Sequence, residues 1–189
     1  MQDETTETAG NLCLALDFGG SKLAAGLANW QTGRLLRQAR CTTASARGAR
    51  GQLADMLALV ERELCLSAAE WATVQAVGVC FGGPVDAVSG TVLQSHHVEG
   101  WEGLPLAAEL RATLGRPALV ENDANAVALG EYRYGAGRGA RDLVYITVST
   151  GIGGGIILDG RLWRGQHDLA GEIGHMLVRP GGPLCTCGN

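Results

Sequence analysis

The feature that most limits what this chain can fold into is a repeat. LCLALDF over Leu12 to Phe18 runs into Gly19-Gly20 and then a second apolar stretch from Leu23 to Ala28; from Leu143 the same plan returns as LVYITVST, GIGGG and IILDG. An apolar strand, a glycine-rich turn and a second apolar strand, used twice, predict two related domains facing one another. The first would occupy residues 1–120 and the second 121–189, with a ligand in the cleft between them.

Between the two copies the periodicity alternates. Arg34 to Thr43 supplies a third antiparallel strand, and Gly51 to Leu66 sets Leu53, Met56, Leu57, Val60 and Leu64 at helical spacing. Val74 to Phe81 reads as a buried strand stopped by Gly82-Gly83-Pro84. Leu104 to Leu114 is a short helix with Pro105 in its first turn, Ala118 to Glu121 is a brief strand running into Asn122-Asp123, and Ala124 to Tyr134 is a helix ended by glycines.

Composition narrows the class. With 46% hydrophobic and 18% charged residues the chain reads as globular and soluble, and no apolar run is long enough to span a membrane. The opening MQDETTETAGN is polar and acidic, unlike a secretory signal, which places the protein in the cytoplasm. A net charge of -4 without a Lys/Arg cluster argues against nucleic acid or an anionic membrane as partner, so the partner is expected to be a small molecule. Cys13, Cys41, Cys65 and Cys80 are scattered and read as reduced thiols, while Cys185 and Cys187 alone have the spacing of metal ligands.

The 29 glycines are clustered rather than spread. STGIGGG resembles a dinucleotide-binding fingerprint, but a strand at Ile156-Ile157-Leu158 follows it where that motif needs a helix. No Walker Gly-Lys-Ser/Thr is present, and the DFG at Asp17 to Gly19 has no catalytic-loop HRD to accompany it. There remain two hairpin turns whose successive amides form an anion-binding concavity, to which Ser21, Lys22 and Thr150 add donors. Two such turns can hold the ends of a polyphosphate, and Asp17 can hold magnesium through water. A plain β-hairpin is the alternative for either turn taken singly.

Taken together these segments resemble the ROK family (repressors, open reading frames and sugar kinases) of the actin-like ATPase superfamily. LALDFGGSKLAAGL resembles its first phosphate motif, and VGVCFGGPVD, VENDANAVALGEYRYGAG, VSTGIGGGII, GEIGHMLV and CTCGN follow in the family's order. The resemblance implies an α/β, actin-like ATPase (ribonuclease-H-like) fold of two domains, each with a mixed five-stranded sheet. It also implies ATP-dependent phosphorylation of a hexose or amino-hexose, as in a glucokinase. On that basis Asp17, Gly19, Gly20, Ser21, Lys22, Thr150, Gly151, Gly153 and Gly154 serve ATP and its magnesium. Gly83, Asn122, Asp123, Glu172 and His175 serve the sugar.

Phosphoryl transfer to a hydroxyl needs a carboxylate to take the proton, and Asp123, at the end of a strand and the start of a helix, is the candidate base. Asn-Asp at that place also reads as a helix cap. Glu172 and His175 form ExxH, which brings them together on a helical turn. The resemblance makes His175 a zinc ligand as well, with Cys185 and Cys187 supplying two more of the four ligands of a closed structural site. The family pattern is CxCGxxGC, whose last cysteine would come five residues after Cys187, whereas this sequence ends two residues after it. The second domain is therefore expected to be incomplete, ending inside a zinc knuckle, and the chain alone to turn over little.

SHHVEGWEGLPL departs from the family, with His97 and Glu99 in place of the usual residues. That leaves the sugar open among glucose, N-acetylglucosamine, N-acetylmannosamine, fructose and allose; an exposed loop without a role is the other reading of the paired histidines. Two further functions stay in view. A sugar-responsive regulator of the same family would carry a DNA-binding helix-turn-helix before the first phosphate motif, where only about a dozen polar residues stand here. An inactive truncated fragment is the other. Family members are often dimers, so a homodimer is also open.

Overall fold

The computed structural model describes residues 11–42, 45–95, 97–149 and 151–182, and two compact units divide the chain, Met1–Asp123 and Ala124–Asn189. In the first unit β1 (Leu12–Phe18), β2 (Lys22–Asn29) and β3 (Leu35–Thr42) form an antiparallel meander. After it come α1 (Gly48–Leu59), which runs on through a π turn at Val60–Leu64, then α2 (Ala68–Thr73) and β4 (Val74–Phe81). A two-residue hairpin, β5 (Val85–Asp86) and β6 (Thr91–Val92), precedes α3 (Leu106–Leu114) and β7 (Ala118–Asn122).

These strands make one five-stranded mixed sheet in the order β3-β2-β1-β4-β7, with β4 parallel to both β1 and β7. This is the mixed five-stranded sheet that the family resemblance implies.

The local reasons are visible in the side chains. In β1, Leu12, Leu14, Leu16 and Phe18 are buried and the residues between them are less so, the period of two expected of a strand with one face on a core. The buried face of α1 is Ala49, Gln52, Leu53, Met56 and Leu59, the stripe of an amphipathic helix. A capping box formed by Ser67 and Glu70 starts α2, and Gly115, in the left-handed region at φ +63, ends α3. The core gathers Leu14, Leu16, Phe18, Leu23, Met56, Leu64, Trp101 and Leu110. Each such side chain contributes about 1.5–3 kcal/mol by leaving water.

The second unit begins within α4 (Asp123–Tyr134), whose first residue still belongs to the first unit. It holds β8 (Leu143–Val148), β9 (Ile152–Leu158) and β10 (Arg161–Leu162) in an antiparallel sheet of order β10-β9-β8. Its buried apolar side chains among the described residues are Ala124, Ala128 and Ile157, while Val144, Ile146 and Val148 line an exposed face of β8. The GIGGG segment is not a turn as the sequence predicts: β9 starts at Ile152, so Gly153, Gly154 and Gly155 lie inside it. Glycine is needed there for close packing. A Cβ on Gly155 would stand 2.6 Å from that of Ala128, and one on Gly154 would stand 2.9 Å from the Gly171 carbonyl. Among the described residues no helix is long and apolar enough to cross a membrane.

Candidate active site

Parallel strands β1, β4 and β7 end at one edge of the first unit's sheet, the edge at which open α/β sheets bind ligands. Register sets Asp17 opposite Cys80 and Cys80 opposite Glu121. In the other direction Asp17 faces Ala24, and Ala24 faces Arg40. Arg40, Asp17, Cys80 and Glu121 thus share one row and one face of the sheet.

One step beyond the strands lie the glycines. The Gly82 amide donates to the Phe18 carbonyl at 3.1 Å and ties the end of β4 to that of β1. The Asp123 carboxylate lies against Gly82, its Oδ2 3.8 Å from where a Cβ would stand. Asn122 Nδ2 donates to the Gly83 carbonyl at 3.3 Å. A Cβ on Gly83 would come within 2.5 Å of the Gln94 carbonyl oxygen, so backbone packing demands glycine. The Asp123 side chain is open to solvent.

The charges follow this geometry. Partial withdrawal from water, and next the Asp123 carboxylate, hold the Asp17 carboxyl above its ordinary value, while Arg40 pulls it down. Burial pushes the Cys80 thiol up to about 12, reinforced by Asp17, Asp123 and Glu121. Carboxylates that oppose one another's ionisation are the hard oxygen donors that a divalent cation relieves, so this edge suits magnesium.

The first glycine turn is closely built. The Gly19 amide donates to the Lys22 carbonyl at 3.1 Å, and a Cβ on Gly20 would lie 2.7 Å from the His97 Cβ. Ser21 and Lys22 are exposed beside them.

In the second unit the Ser149 amide donates to the Gly151 carbonyl at 2.9 Å, which closes the turn before β9. Glu172 and His175 meet across a 3₁₀ turn, His175 Nε2 lying 3.6 Å from Glu172 Oε2. Gly171 and Gly174 press this turn onto the backbone of β9 at Gly154 and Ile152.

The structure therefore brings together Asp17, Gly19, Gly20, Ser21, Lys22, Gly83, Asn122 and Asp123 within the first unit. Within the second it brings together Glu172 and His175, and it sets Gly151, Gly153 and Gly154 along the turn and strand of β9. Thr150, Cys185 and Cys187 lie outside the described residues. Among the described residues no group of three or more His, Cys, Asp or Glu is placed to hold a metal ion. Sequence reasoning missed Arg40, whose place in the same row as Asp17, two strands away across Ala24, needs the strand register, and Gln52, whose signal is a polar residue on the apolar stripe of α1.

Comparison with known proteins bears on the family and the fold. A family model described as ROK family matches residues 13–189. A glucokinase of Streptomyces coelicolor is 38% identical over 182 residues, covering 94% of this chain and 53% of that protein. A ROK family glucokinase from Streptomyces griseus, solved in complex with glucose and AMPPNP, superposes with a TM-score of 0.80 at 41% identity, covering 94% of this chain and 54% of that one. A ROK family transcriptional regulator, a homolog of the E. coli MLC protein, also reaches a TM-score of 0.80, at 30% identity, over 94% of this chain and 44% of its own. The chain spans about half the length of the curated relatives it matches.

Proposed function

We propose that this chain, which belongs to the ROK family, acts in ATP-dependent phosphorylation of a hexose or amino-hexose, with glucose the first candidate. The observation that carries the proposal is the placement of Asp123. Its carboxylate stands open to solvent at the carboxyl end of the parallel strands, beside Asn122 and against Gly82, and within electrostatic reach of Asp17. The glucokinase relatives support the reaction class.

In this mechanism Asp123 accepts the proton of the sugar hydroxyl as that oxygen attacks the γ-phosphorus of ATP. The bond to the bridging oxygen breaks and ADP leaves. Asn122, Gly83, Glu172 and His175 orient the sugar. The turn of Gly19, Gly20 and Ser21, closed by the Gly19 amide on the Lys22 carbonyl, meets phosphate oxygens with Lys22, and Thr150, Gly151, Gly153 and Gly154 serve the other phosphate turn. Asp17 would hold magnesium, which neutralises phosphate charge when bound. A structural zinc would be held by His175, Cys185 and Cys187. The support among the described residues is the His175–Glu172 pair, since a carboxylate at an imidazole steadies a ligating histidine.

The test is Asp123→Asn in the protein as its gene encodes it. Phosphorylation is expected to fall roughly 10²- to 10⁴-fold while the sugar still binds; near-normal turnover would sink the assignment. A second reading, a sugar-binding regulator, draws support from the likeness to the ROK regulator. Wild-type protein that binds a sugar from the panel of glucose, N-acetylglucosamine, N-acetylmannosamine, fructose and allose, yet phosphorylates none, would favour it.

A further inference from the structure

Gln52 is the odd residue on the buried face of α1: it is 1% exposed among Ala49, Leu53 and Met56. Buried amides persist where their hydrogen bonds are made, and this one makes two of consequence. Its Nε2 donates to the Gly19 carbonyl at 3.0 Å, and its Oε1 accepts from Trp101 Nε1 at 2.9 Å. An indole N–H can only donate, so Trp101 dictates which end of the amide faces it and turns the other end toward Gly19. Trp101 is itself fully buried, edge-on to Phe18 at 5.4 Å and to Phe81 at 5.1 Å. Those phenylalanines face one another at the ends of β1 and β4.

Two more contacts join the same parts. The Ala49 amide, in the first turn of α1, donates to the Glu99 carbonyl at 2.9 Å. His97 lies against Gly20. The segment 97–101 is therefore tied to the Gly19–Lys22 turn through Gln52 and through His97, and to the first turn of α1 through Glu99, and Gln52 is the buried link.

We infer that Gln52 is a positioning residue for the glycine turn. It sets the direction of the Gly19 carbonyl, and with it the peptide planes of Gly19, Gly20 and Ser21, and it makes the turn and the 97–101 segment order together. Its consequence for nucleotide binding rests on the phosphate reading given above; the positioning itself does not.

The experiment is amide hydrogen exchange and indole NMR on Gln52→Met and Gln52→Glu. The first removes both hydrogen bonds at similar volume. The second keeps an acceptor for Trp101 and, read at alkaline pH where the buried carboxyl is ionised, sets another acceptor against the Gly19 carbonyl. Both variants should speed exchange over residues 19–23 about tenfold, the loss of one net hydrogen bond, while Leu14 and Val79 stay within about twofold of wild type. The Trp101 Nε1–H resonance should move in Gln52→Met and hold its place in Gln52→Glu. Nucleotide KM should rise about tenfold in both. Unchanged exchange at the turn, or acceleration spread evenly over β1 and β4, would overturn the inference. Should Gln52→Met fail to fold, Trp101→Phe keeps a ring and removes the indole donor, and carries the same test. If the wild-type protein phosphorylates no sugar, the functional proposal falls, and the exchange data still decide the role of Gln52.

Discussion

Gly83→Ala is the substitution whose effect follows most directly from the structure. A Cβ at position 83 would meet the Gln94 carbonyl oxygen at 2.5 Å against the 3.4 Å of ordinary contact, so the two backbones must part by 3.4 − 2.5 = 0.9 Å. Overpacking of that kind costs about 1–3 kcal/mol. Removing a glycine also stiffens the unfolded chain and returns about 0.4–1 kcal/mol. Gly78→Ala, in β4 just before that bend, is a control: nothing lies within 4 Å of its added Cβ, and it carries the same gain without the clash. The entropy term cancels between them, so urea unfolding should separate the two variants by about 1–3 kcal/mol. The displacement also carries away the carbonyl that accepts from Asn122 Nδ2. A shift near 1 Å at a positioned group can lower rate or affinity by about 10²-fold, so sugar calorimetry and phosphorylation should both register it. Equal unfolding midpoints for the two variants would refute the packing argument. Unchanged sugar binding by Gly83→Ala would refute the role of this edge.

Three other outcomes are expected. Asp17→Asn should raise thermal stability at neutral pH, because the native state resists ionising this carboxyl. The gain should vanish as pH falls through the raised native pKa of Asp17 toward its ordinary 3.8, where the wild-type group is protonated too; a gap that widens in acid would contradict the sign. In the native protein iodoacetamide at pH 8 should label exposed Cys65 and spare Cys80, whose thiol, pushed up to about 12, is ionised in only about one molecule in 10⁴; equal labelling by mass spectrometry would speak against that environment. Cys185→Ser, in the protein as encoded, should lower bound zinc and weaken sugar affinity through His175, and unchanged metal content would end the knuckle reading.

Much of the first unit was legible because its strands obey a simple rule. Leu12 to Phe18 and Val74 to Phe81 run as strands over the predicted residues, since their apolar side chains meet a core on one face. Helix α2 escaped notice despite its Ser67–Glu70 capping box, because six residues with none buried leave no apolar period to read. Hairpin β5–β6 is too short to leave one either. The glycines of β9 misled for a physical reason: glycine marks a turn when the backbone must bend and a strand when another backbone must come near, and composition does not distinguish them. At the site, Asn122 and Asp123 stood out through their motif. Trp101 and Gln52, 49 residues apart, became partners only through tertiary packing.

The unequal cores of the two units carry a consequence for how this chain of 189 residues meets a protease. The continuous apolar cluster, from Leu12 to Val120, belongs wholly to the first unit, and the second buries two alanines and an isoleucine among its described residues. Segments with few buried apolar contacts open at low free energy, and proteases act on what opens. Trypsin should therefore reach Arg161 and Arg164 well before any arginine within the first unit's sheet. The piece that outlasts digestion is then the one that carries Asp17, Gly83, Asn122 and Asp123.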